Sequence, residues 1–158
     1  MRVGQGFDVH QFGGPGPVVL GGVSIPHEQG LLAHSDGDVL WHALSDALLG
    51  AIGAGDIGVW FPDHDPQYAG ADSGVLLQAV YAEVQRQGWQ LVNLDLTVIT
   101  QVPKINPHRK AIQQRTATLL KLPEERVNIK ATTTEGLGFT GRAEGIASQA
   151  IVLLEARP

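Results

Sequence analysis

Asp8 and His10 stand two residues apart in the apolar stretch Val3 to Phe12, and His42 follows in a helical pattern. In a strand, side chains at i and i+2 point to the same face. Asp8 and His10 therefore project together if Val3 to Phe12 is a strand. An imidazole from a neighbouring helix would complete three N/O donors. Three protein ligands leave one tetrahedral position open, which is how catalytic zinc is held. The competing reading is an ordinary D-x-H strand among six histidines, with no ion at all.

Other candidates lie along the chain. Asp46 is one helical turn after His42. It is either the carboxylate that orients the second ring nitrogen of His42 or a solvated helix residue. His34 and Ser35 precede that helix, where backbone N–H groups favour phosphate. The plainer alternative is a capping loop, since Ser35, Asp36 and Asp38 all cap well. Asp56, Asp63 and Asp65 lie in a Gly/Pro-rich loop suited to sugar hydroxyls or cations, although composition alone favours ordinary loop residues. The run KATTTEGLGFTGR offers Thr132, Thr133 and Thr134, then Glu135, three glycines and Arg142. Hydroxyls, free amides and one guanidinium could cradle phosphate, and Glu135 could carry a hard cation shared with phosphate oxygens; the plainer alternative is a β-turn with ordinary polar residues. In QVPKINPHR, two prolines flank Lys104, a rigid loop able to shape a pocket for a flat base.

Bulk properties narrow the classes. The chain has 158 residues, 43% hydrophobic and 17% charged, with 20 glycines and no cysteine. One domain over 1–158 is expected. Thiol catalysis, disulfides and thiolate metal sites are excluded. The formal net charge is −5 with no basic stripe, which argues against a nucleic-acid partner. No run approaches the ~20 apolar residues of a membrane span, so no membrane role is expected. No signal peptide is expected, and the cytoplasm is the default.

Strands are expected at Val3–Phe12, Val18–Leu20, Val23–Ile25, Trp89–Thr100, Val127–Thr133 and Ile146–Glu155. Gly21-Gly22 forms a two-residue hairpin turn. Helices are expected at Asp38–Ala51, Asp72–Gln87 and Pro107–Leu122. Glu28–Gly37, Gly53–Tyr68 and Glu135–Glu144 read as loops. The expected fold is α+β: a two-layer sandwich of ferredoxin-like type, with a four-stranded sheet covered by helices and a small N-terminal hairpin.

Taken in order, GFDVHQF, HSDGDVLWHALSDALLGAIGAGDIGVWFPD, GADS, PKINPH and ATTTEGLGFTGRAEGIASQA closely resemble the 2-C-methyl-D-erythritol 2,4-cyclodiphosphate synthase family. The resemblance runs from Arg2 to Leu154. It implies a lyase of the non-mevalonate isoprenoid pathway. The family cyclises a CDP-linked methylerythritol 2-phosphate and releases CMP. It also implies a homotrimer with active sites at subunit interfaces. Asp8, His10 and His42 match zinc ligands, and Glu135 matches a residue associated with Mg²⁺ or Mn²⁺. Ser35, Asp56, Ile57, Gly58, Phe61, Pro62, Asp63, His64 and Asp65 match a methylerythritol phosphate site that includes His34. Thr100, Gln101, Val102, Pro103, Lys104, Ile105 and Asn106, with Ala131 and Thr132, match the cytidine and phosphate pocket. Thr134 extends that threonine run, and Phe139 and Arg142 match a further substrate-contacting stretch. His34 and Thr133 match positions of transition-state stabilisation.

The chain departs from many members of the family at two lysine positions, which are Ala69 and Gly136 here. Some relatives are fused to a cytidylyltransferase domain, and none is expected within these 158 residues. Two other functions use the same donors: a zinc phosphohydrolase, and a trimeric small-molecule binder whose metal only organises the fold.

Overall fold

The computed structural model describes residues 1–158. Its strands are β1 (Arg2–Pro15), β2 (Val18–Leu20), β3 (Val23–Ile25), β4 (Gln29–Leu31), β5 (Trp89–Ile99), β6 (Val127–Thr132) and β7 (Gly145–Ala156). Its α-helices are α1 (Val39–Ala51), the single turn α2 (Ile57–Trp60), α3 (Ser73–Arg86), α4 (Arg109–Leu120) and the single turn α5 (Gly138–Gly141).

The main sheet has five strands in the order β4-β1-β7-β5-β6, not the expected four. The extra strand, β4, falls in the expected loop Glu28–Gly37 and pairs with the end of β1, Phe12 opposite Leu31. Three residues with a central glycine are too short to show a period. β1, β7 and β5 pair antiparallel, but β5 and β6 run parallel. A parallel neighbour needs a crossover connection, and α4 supplies it. That parallel pair separates the sheet from the expected ferredoxin-like arrangement. The β2–β3 hairpin forms its own sheet, turning at Gly21 and Gly22, both at positive φ.

The helices cover one face. Alternation along β1 sends Gly4, Gly6, Asp8, His10 and Phe12 toward α1, and Val3, Phe7 and Val9 to the open face. The core gathers Leu44 and Leu48 of α1 with Leu94, Leu96, Ile146 and Val152 of the sheet, all at most 1% exposed. Each such side chain contributes about 1.5–3 kcal/mol on burial.

Two local devices set α1 against β1. The first is glycine: a Cβ on Gly4 would lie 1.8 Å from the Ala47 carbonyl oxygen, and one on Gly6 1.8 Å from that of Ala43. Only glycines let the helix backbone come this close. The second is Asp38, fully buried at the N-cap of α1. Its carboxyl accepts from Trp41 N at 3.1 Å, Gly21 N at 2.9 Å and Gly22 N at 2.8 Å. Burial pushes its pKa up to about 6, against the pull of those three donors. One side chain thus caps the helix and ties it to the hairpin. Asp38→Asn would set an amide N–H against the Gly22 N–H, and we expect a loss of about 1–3 kcal/mol in urea unfolding.

Candidate metal centre and substrate pocket

Strand β1 and helix α1 bring the predicted trio together. Asp8 Oδ2 lies 3.3 Å from His10 Nε2 and 3.3 Å from His42 Nδ1, and the two nitrogens are 3.1 Å apart. Zinc bonds of about 2.0–2.1 Å at tetrahedral angles hold donors about 3.3 Å apart, so the spacing fits a single small ion. Asp8 Oδ2 is buried and has no hydrogen-bond partner. Among the His, Cys, Asp and Glu side chains, these three alone converge in this way.

The electrostatics agree. Burial holds His10 below its ordinary pKa, only partly opposed by the Asp8 charge, with His42 adding to the lowering. Burial also pushes His42 down, but the adjacent Asp8 carboxylate, with Asp38 and Asp36 beyond, outweighs it and raises its pKa. The cluster thus carries a carboxylate that favours a cation between the rings. A divalent ion satisfies all three donors, and the donor set of one carboxylate and two imidazoles suits zinc.

The expected contact between Asp46 and His42 is absent. Asp46 Oδ1 accepts from Ile57 N at 2.8 Å and so pins the start of α2. His42 Nε2 instead meets Ser73 Oγ at 2.8 Å and Ser35 Oγ at 3.1 Å. Ser73 follows the N-cap of α3, Asp72, which accepts from Gly74 N. Asp46 therefore acts on the loop rather than on the metal ligand. Asp46→Ala frees the Ile57 amide, worth about 1 kcal/mol. We expect KM to rise about fivefold while zinc affinity is unchanged, read by steady-state kinetics and metal titration.

A cavity of about 370 Å³ opens beside the trio. Its walls include His34, Ser35, Ile57, Gly58, Phe61 and Asp63. Asp56 caps α2 through Val59 N, and Asp65 caps the next turn through Gln67 N. Pro62 and His64 lie in the same segment, between Phe61 and Asp65, and His34 Nε2 is 3.4 Å from the Asp65 carbonyl.

A second cavity, of about 470 Å³, draws on a different set: Thr100, Gln101, Pro103, Lys104, Ile105 and Asn106, with Ala131, Thr132 and Thr133. Val102 sits between Gln101 and a cis-bonded Pro103. Gly136 N donates to Gln101 Oε1 at 3.3 Å and joins the two loops. Gly136 has φ +80, a left-handed backbone that favours glycine. Thr133 Oγ1 accepts from Glu135 N, whereas Thr134 turns to Thr140 and the Leu137 carbonyl. Glu135 is exposed and is not among the three convergent donors. Phe139 lines a separate cleft with Glu144, the ion-pair partner of Arg142 at 2.9 Å. Within one chain, then, the predicted residues fall into separate groups.

The YgbB family model matches residues 1–155. The chain belongs to the YgbB family. A relative in Alcanivorax borkumensis named 2-C-methyl-D-erythritol 2,4-cyclodiphosphate synthase is 62% identical, over 99% of this chain and 98% of that protein. Among solved structures, the bifunctional IspDF of Campylobacter jejuni superposes with a TM-score of 0.95 at 49% identity. It is matched over 98% of this chain, which spans 42% of that longer protein. A 2C-methyl-D-erythritol-2,4-cyclodiphosphate synthase solved in its CDP-bound form gives a TM-score of 0.90 at 41% identity, covering 98% of this chain and all of that one. This YgbB chain has no helix long and apolar enough to cross a membrane.

Proposed function

We propose that this chain cyclises 4-diphosphocytidyl-2-C-methyl-D-erythritol 2-phosphate to 2-C-methyl-D-erythritol 2,4-cyclodiphosphate and releases CMP, as a single catalytic domain in the cytoplasm. The observation that carries this reading is the zinc-spaced convergence of Asp8, His10 and His42 on a cavity, in a chain 62% identical to a named synthase.

An oxygen of the substrate's 2-phosphate attacks the β-phosphorus. The bond from that phosphorus to the oxygen bridging the α-phosphate breaks, and CMP leaves with that oxygen. The nucleophile is already anionic, so the protein needs no strong base. Zn²⁺ at Asp8, His10 and His42, with Mg²⁺ or Mn²⁺ at Glu135, would supply Lewis-acid polarisation and offset charge on the leaving group. The chain's own residues hold the substrate curled. The His34 to Asp65 cavity takes the methylerythritol phosphate end, Thr100 to Asn106 with Ala131 and Thr132 take the cytidine end, and Phe139 and Arg142 add contacts. Positioning of this kind is worth up to ~7–11 kcal/mol. Thr133, whose hydroxyl oxygen already accepts an amide, keeps its proton for a phosphoryl oxygen. His34 donates from the other cavity, at the methylerythritol phosphate end.

The two cavities use disjoint residues, and the open face of β1 and β7 exposes Val3, Phe7, Val9 and Ile151. Both features support a homotrimer whose subunits complete one another's sites. Turnover in ¹⁸O-water tests the chemistry: cyclisation leaves both products free of label, whereas a zinc phosphohydrolase incorporates one solvent oxygen per event.

A further inference from the structure

We propose that Ser73, held by Asp36, is a positioning residue that locks His42 in the tautomer required to bind metal through Nδ1. The inference rests on the metal-site reading above. Ser73 is the first residue of α3 and is 1% exposed. Its hydroxyl has one proton, and it donates that proton to Asp36 Oδ1. The same carboxylate accepts Ser73 N at 3.0 Å and Asp38 N at 3.1 Å, so it is committed as an acceptor. Ser73 Oγ then has only lone pairs to offer His42 Nε2 at 2.8 Å. Nε2 must carry the proton, and in a neutral imidazole that leaves Nδ1 bare, facing Asp8 and His10. Metal-bound histidines commonly give their second N–H to a carboxylate, carbonyl or water. Here a buried hydroxyl stands between imidazole and carboxylate.

The relay also separates two serines of similar distance. Ser35 Oγ, 3.1 Å from Nε2, shares the same N–H and keeps its own proton free for the cavity. The Ser73 side of the relay is stitched to the pocket segment: Gly70 N donates to the His34 carbonyl at 2.8 Å, and Asp36 N to the Ala71 carbonyl at 3.1 Å. The placement of His42 thus depends on the loop that enters α3 as well as on α1.

Two readouts without substrate test this. Zinc affinity is measured by competition with a chromophoric chelator, and the His42 ring nitrogens are read by ¹⁵N NMR in the metal-free protein. The wild type is expected to show a protonated Nε2. Ser73→Ala and Asp36→Asn are each expected to bind zinc about 10–100-fold more weakly and to show mixed tautomers. The double variant should be little worse than either single one. If Ser73→Ala does not fold, Asp36→Asn carries the same comparison. A folded variant with wild-type zinc affinity and an unmixed Nε2–H tautomer overturns the positioning role while leaving the metal site intact. A wild type that binds no zinc overturns the metal reading and this inference with it.

Discussion

Asp8→Ala is expected to lower kcat by at least about 10³-fold and to leave the purified protein without zinc, yet folded. Asp8 Oδ2 has no hydrogen-bond partner within the protein. Its neighbours are two imidazole nitrogens, both 3.3 Å away. Truncation therefore removes the only anion of the trio while breaking no protein hydrogen bond of that oxygen. Lewis-acid stabilisation of a phosphoryl transition state is worth several kcal/mol, and each 1.36 kcal/mol is a factor of ten in rate. Three decades follow from losing the ion. Metal content by elemental analysis, kcat and the thermal midpoint separate the possibilities. His42→Ala should behave alike in metal content, with some stability lost because His42 is buried in α1. If Asp8→Ala instead unfolds while its metal-free wild type also unfolds, the ion serves the fold and the binder reading gains.

Gly6→Ala should be among the most damaging single-methyl changes in this chain, although it is far milder chemically than the loss of a charge. The added Cβ would sit 1.8 Å from the Ala43 carbonyl oxygen and 2.9 Å from Ala47 N, both backbone atoms. No rotamer change relieves a clash with helix backbone. Either α1 moves away from β1 or the strand buckles. Overpacking a close-packed core costs typically about 1–3 kcal/mol and sometimes more, and a backbone clash lies at the upper end. The functional consequence is sharper. Ala43 adjoins His42, so any shift of α1 at this point spreads the 3.1–3.3 Å donor triangle. We expect a fall of about 3 kcal/mol in urea unfolding, accompanied by weaker zinc binding. Gly14→Ala is the comparison: it meets nothing within 4 Å, so its cost comes only from its positive φ and its zinc affinity should not change.

These two cases show which parts were legible in the chain itself. Asp8 and His10 were readable as a same-face pair from strand alternation, whereas spacing left the ion open and His42 joined them as a ligand only through the family resemblance. The hairpin at Gly21-Gly22 was readable for the same local reason. What escaped depends on tertiary partners. Gly4 and Gly6 look like any strand glycines until the α1 carbonyls arrive above them. Asp46 stands one turn from His42 by spacing, yet a loop amide takes its carboxylate. Ser73 is separated from His42 by 31 residues, and nothing in GADS signals an imidazole. β4 is three residues long, and the parallel pairing of β5 with β6 follows from the crossover through α4 rather than from either strand's own pattern. The split of the binding residues into two cavities is likewise invisible in a linear motif order.

Cyclisation is read by phosphorus NMR of the purified protein with 4-diphosphocytidyl-2-C-methyl-D-erythritol 2-phosphate, Zn²⁺ and Mg²⁺. A cyclic diphosphate and CMP are expected in equal amounts, and neither product with Asp8→Ala. A linear phosphorylated product, or intact substrate beside a zinc-loaded, folded protein, would contradict cyclisation.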